Sequence, residues 1–141
     1  MAKKALFVWG GWDGHTPKES TELFAGLLEE VGYEVTISDT LDAYLDAEFL
    51  NGLDLIVPVW TMDKISKEQQ NNLLAAVQSG VGLGGWHGSM ADSFRESTAY
   101  QFMVGGQWVA HPGGIIDYTV QITNSDHPIT EGLSTEFAMH S

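Results

Sequence analysis

Five histidines and no cysteine bound the chemistry open to this chain, and one of those histidines stands at a glycine-rich corner. The corner is Gly84-Gly85-Trp86-His87-Gly88-Ser89, placed after a short apolar run (81–83) and ahead of a segment that reads as a helix. Strand-to-helix corners of this kind are where several α/β enzymes hold an exposed nucleophile on a strained turn. Without cysteine there is no thiolate nucleophile, no disulfide and no cysteine-ligated metal. His87 therefore offers imidazole chemistry, as acid, base or metal ligand. Its alternative role is to hold the turn through hydrogen bonds to nearby backbone. Ser89 reads as the cap of the following helix rather than as a nucleophile.

Other residues of chemical interest fall in loops. His15 follows Trp12, Asp13 and Gly14 two residues before a helix start, as general base, metal ligand or sugar contact, or as a residue that shapes the turn. The loop 10–17 lacks the lysine and spacing of a P-loop, and Asp13 would repel phosphate. His111 lies in 105–114, a glycine-rich loop that also carries Gln107 and Trp108. Trp12, Trp60, Trp86 and Trp108 fall at strand ends or in loops, where aromatic faces beside polar groups suit sugar rings, with core packing as the alternative. Arg95, the single arginine, could hold a substrate oxygen or pair with a nearby acid. His127 sits in an Asn-Ser-Asp-His-Pro turn signal and reads as structural. If His15, His87 and His111 converge they could hold a divalent metal, zinc first, although none shows short metal-ligand spacing.

The 141 residues suit one domain with a real core, and the 43% apolar and 18% charged fractions are those of a globular protein. A net charge of −13 repels phosphate backbones and anionic lipid, so no nucleic acid and no membrane partner is expected. The apolar run near the N-terminus is too short for a signal peptide, and no run approaches membrane-spanning length. The reading is a soluble cytoplasmic protein whose partner is a small molecule.

The elements that must position these loops alternate. Residues 5–11 form a continuous apolar run, the pattern of a strand buried on both faces. Thr16, Pro17 and Glu19 fit cap, first helical position and capping-box acid, and Leu23, Phe24, Leu27, Leu28 and Val31 repeat at helical spacing. A second strand is expected at 33–38, a short helix within 42–52, a buried strand at 53–60, and a helix opened by a Ser66/Gln69 capping box. A fourth strand follows at 81–85, then a helix capped by Ser89 and Asp92 that carries Ala91, Phe94, Phe102 and Met103. A fifth strand is expected at 115–123. Strands separated by helices imply a mostly parallel sheet with helices on both faces. Its ligand crevice lies beyond the carboxyl ends of the strands, where loops 10–17, 59–64 and 84–89 meet.

Four ordered motifs carry a resemblance: VWGGWDGHTP, GVGLGGWHGS, VGGQWVAHPGG and DHPITEGL. Together they resemble the trehalose-utilisation (ThuA-like) family. That implies a flavodoxin-like, class I glutamine amidotransferase-like α/β fold over residues 1–141 as a single domain. In amidotransferases of this fold the corner presents a catalytic cysteine; His87 in that place implies that amidotransferase chemistry is lost. Family members usually run on further, so a C-terminal part is expected to be lacking after the final FAMHS. The resemblance implies carbohydrate catabolism, with an enzyme of isomerase, lyase or hydrolase type acting on trehalose-type or 3-keto glycosides. His87 and His15 would be catalytic, while Trp12, Asp13, Trp86, Arg95, Gln107, Trp108 and His111 would bind substrate. His15, His87 and His111 would be the ligands of any metal, and neither flavin nor nucleotide is expected. The alternative is a non-catalytic sugar-binding or regulatory module on the same shell. The apolar C-terminal strand could pair with a second copy in a homo-oligomer.

Overall fold

The continuous apolar runs become the two central strands. In a computed structural model that describes residues 2–141, β1 (Lys3–Gly11) pairs in parallel with β2 (Tyr33–Ser38) on one side and β3 (Leu55–Thr61) on the other. β3 pairs in parallel with β4 (Gly82–Leu83), so the sheet runs β2-β1-β3-β4. This is the flavodoxin-like order, in which the chain reverses direction across the sheet between β1 and β3 and opens a crevice at their carboxyl ends.

Alternation along the strands divides the core. Leu6, Val8, Ile56 and Trp60 meet Tyr44, Leu50, Leu73, Phe94 and Tyr100 on one face. Phe7, Val57 and Val59 meet Ala25 on the other, with Trp9, Leu28 and Trp86 packed around them. Each such large side chain contributes about 1.5–3 kcal/mol by leaving water. The first face is covered by α2 (Ala47–Asn51), α3 (Lys67–Gln78) and α5 (Thr98–Val104), the second by α1 (Pro17–Glu30). The capping box at α3 forms in full: the Ser66 hydroxyl accepts from Gln69 N at 3.2 Å, and Gln69 Oε1 accepts from Ser66 N at 3.0 Å.

Several local expectations are corrected. Thr16 precedes α1 but in the left-handed region (φ 45°), so its hydroxyl caps nothing, and Pro17 starts the helix alone. The α1 face on the sheet is Pro17, Thr21 and Ala25, small residues that allow close approach. Leu23, Phe24, Leu27 and Val31, at core spacing in sequence, are exposed. The helix expected from Ser89 is broken: α4 (Gly88–Ala91) ends at once, Phe94 takes φ 49°, and α5 restarts from a Ser97 cap. Ser89 lies inside α4 and buried, so it is no cap.

The chain divides into two compact units at Trp108. In the second, Val109–Ser141, the strand expected to extend the parallel sheet is β5 (Asp117–Gln121), and it pairs antiparallel with β6 (Glu136–His140). His140 Nδ1 meets Asp117 Oδ1 at 2.7 Å across that pair. The connecting loop is built from turn chemistry: Asn124 Oδ1 accepts from Asp126 N, and His127 Nδ1 from Ile129 N. Among the described residues no helix is long and apolar enough to cross a membrane.

Burial has a consequence at high pH. It pushes the Tyr100 hydroxyl up to about 12 and that of Tyr44, which has no hydrogen-bond partner among the described residues, well above its ordinary 10.0. The folded chain then keeps protons that the unfolded chain loses near pH 10, so stability falls as pH rises past that point. The urea midpoint is expected to drop between about pH 9 and pH 11. Tyr44→Phe should flatten that drop while changing stability at neutral pH by less than about 1 kcal/mol, because it removes an unsatisfied buried hydroxyl.

Candidate active site

The loop after β1 is held to the end of β3. Gly11 faces Thr61 in register with φ 77°, and a Cβ there would strike the Thr61 backbone. Trp12 N then donates to Thr61 O at 3.2 Å, and a single 3-10 turn, Asp13–His15, brings His15 back over the strand end. There His15 Nδ1 lies 2.8 Å from Thr61 Oγ1. Thr61 is 1% exposed and was passed over in the sequence, where only its position beside a buried strand in loop 59–64 marked it.

The corner after β4 supplies the second imidazole. His87 stands immediately before α4 with φ 50° and ψ −149°, a region that only glycine enters without strain. Its side chain caps nothing; it is exposed and meets His15 edge-on, ring centroids 4.9 Å apart at 71°. Gly88 makes the approach possible, since a Cβ there would lie 2.5 Å from His15 Cε1. Trp12 also packs edge-on against His15, with centroids 4.8 Å apart, and stays 52% exposed. Two imidazoles and an indole thus share one corner of the crevice.

The other expected site residues have surroundings of their own. Trp86 stacks against Phe24 at 4.3 Å, beside the second core face, and Trp60 is buried with its indole N–H unpartnered among the described residues. Asp13 is exposed in the loop between Trp12 and His15. Arg95 is gripped by the buried Asp92, Nε to Oδ1 at 2.5 Å and Nη2 to Oδ2 at 2.9 Å, a hydrogen bond that raises its pKa further. Its guanidinium also lies 5.0 Å from the Trp108 ring, whose backbone N–H donates to Ala91 O at 3.1 Å. Gln107 is exposed and lines an open pocket of about 460 Å³ with Thr98, Gln101 and Phe102. His111 is exposed in the second unit. Among the described residues no three His, Asp or Glu side chains gather about a common point.

The strain at His87 is measurable. His87→Gly is expected to be more stable than His87→Ala by about 1 kcal/mol, because only alanine keeps a Cβ at positive φ. Urea denaturation of the two variants reads the difference, and equal midpoints would show that the corner carries no strain.

Comparison with known proteins follows the same outline. No curated protein matches the chain. A crystal structure of a ThuA-like protein from Bacteroides uniformis ATCC 8492 superposes with a TM-score of 0.72 at 18% identity. The match covers 98% of this chain and 58% of that one, so this chain spans little more than half its length. At that identity the likeness carries the fold alone. The family itself comes from the sequence model for trehalose utilisation, ThuA, which matches residues 4–141; this chain belongs to that family.

Proposed function

We propose that the His15–His87 pair moves protons on a carbohydrate that carries an oxidised carbon, a 3-keto glycoside being the form in which the chemistry is easiest. The observation that carries this reading is the pair itself: two imidazoles in edge contact at the carboxyl ends of β1 and β4, beside an exposed indole. The family's association with trehalose utilisation supports a sugar as substrate.

A ketone acidifies the C–H next to it, so one imidazole can take that proton and leave an enolate. Collapse of the enolate then expels the glycosidic oxygen from the adjacent carbon. That oxygen takes its proton from the imidazolium formed in the first step, while the other imidazole donates a hydrogen bond to the enolate oxygen. Reprotonation in place of expulsion gives isomerisation. Trp12 would carry the sugar's C–H face, and Asp13 next to it would accept from hydroxyls. A zinc ion would polarise the same carbonyl; catalytic zinc takes three protein ligands, and among the described residues no group of three His, Asp or Glu is gathered to hold one. Each step above is therefore assigned to the imidazoles.

Product analysis with trehalose and its 3-keto derivative tests the reading. His87→Ala and His15→Ala are each expected to lower turnover by about 10²- to 10⁴-fold with the circular dichroism spectrum unchanged. Retained turnover in His87→Ala would sink the assignment. The exposed Trp12 also favours a second reading, a sugar-binding module without turnover. It expects saturable tryptophan quenching that is lost in Trp12→Ala, with no product on long incubation.

A further inference from the structure

The two imidazoles are not equivalent, and the difference lies in Thr61. Its hydroxyl is sealed at the end of β3, 1% exposed, and among the described residues its one hydrogen bond is the 2.8 Å contact with His15 Nδ1. A hydroxyl has one proton to place, and a buried donor left without an acceptor pays its full desolvation cost. If His15 carried its proton on Nδ1, that nitrogen would donate to Oγ1 and the threonine proton would have no acceptor. If the threonine donates to Nδ1, both groups are satisfied, and the neutral imidazole must carry its proton on Nε2.

The ring cannot easily escape this choice. A Cβ at position 88 would strike Cε1, Trp12 packs edge-on against the ring, and a flip would set a carbon against the buried hydroxyl. His87 has no such constraint: its side chain is exposed and makes no hydrogen bond among the described residues. We propose that Thr61 is a positioning residue that fixes His15 as the Nε2–H tautomer, making His15 the hydrogen-bond donor to the substrate oxygen on which charge develops and leaving His87 as the base. The division of labour rests on the proton-transfer reading above; the tautomer does not.

The test reads the tautomer directly. The full chain is labelled with 15N-histidine, and two-bond 1H–15N correlations are recorded at a pH where the imidazoles are neutral, with His15→Gln identifying the His15 signals. The expected spectrum shows a protonated Nε2 and an unprotonated, hydrogen-bonded Nδ1, kept in Thr61→Ser and replaced by a tautomer mixture in Thr61→Val. A protonated Nδ1 in the unmodified chain overturns the proposal, as does a Thr61→Val spectrum with the tautomer unchanged. Should Thr61→Val fail to fold, the unmodified chain and Thr61→Ser still decide it. On a 3-keto glycoside, Thr61→Val is expected to lower kcat about 10- to 100-fold with KM little changed, and Thr61→Ser to restore it. If no sugar is turned over at all, the proton-transfer reading falls while the tautomer result stands on its own.

Discussion

The pairing of β1 with β3 persists to the last residue of each, Gly11 opposite Thr61, and the candidate site depends on it. That register sets the Thr61 carbonyl where Trp12 N can reach it, and so fixes where the loop after β1 turns. It also sets the Thr61 hydroxyl under His15. A residue with a Cβ at position 11 would force the two strand ends apart, because the space is filled by the Thr61 backbone. A contact between two main chains thus decides where an imidazole stands.

Strain collects on the same edge of the sheet. The non-glycine residues at positive φ among the described residues are Thr16, Met62, Asp63 and His87, in loops that follow β1, β3 and β4, and Phe94, between α4 and α5. Such residues persist only where the surroundings over-determine them. Here the surroundings are visible. Met62 N donates to Asp92 O at 2.8 Å and Phe94 N to Met62 O at 3.0 Å, while the Ser93 hydroxyl donates to Trp60 O. Asp92 then holds Arg95, and Arg95 lies against Trp108. The glycine-rich corner after β4 shares this strain and presents His87.

Much of this was legible in sequence, for identifiable reasons. Apolar runs with no polar face could only be strands covered on both sides, and 5–11 and 53–60 became β1 and β3. The Ser66/Gln69 pair is a local device, complete within four residues, and it formed as expected. Helical spacing misled at α1, because Leu23, Leu27 and Val31 repeat correctly but share the helix with Thr21 and Ala25, whose small size lets that face approach the sheet. The strand at 117–121 was recognisable, but its partner was not. A parallel or an antiparallel neighbour leaves the same alternation in a single strand.

The amino-acid sequence by itself determined the family, the order of strands and helices from β1 to β4, and the imidazole at the glycine-rich corner, because each is written in local composition and spacing. Tertiary structure alone decided that His15 and His87 meet, that Asp92 fills the fork of Arg95, and that Thr61 lies beneath His15. His15, Thr61 and His87 come from three separate strand ends, and no spacing along the chain records the sheet order that brings those ends together.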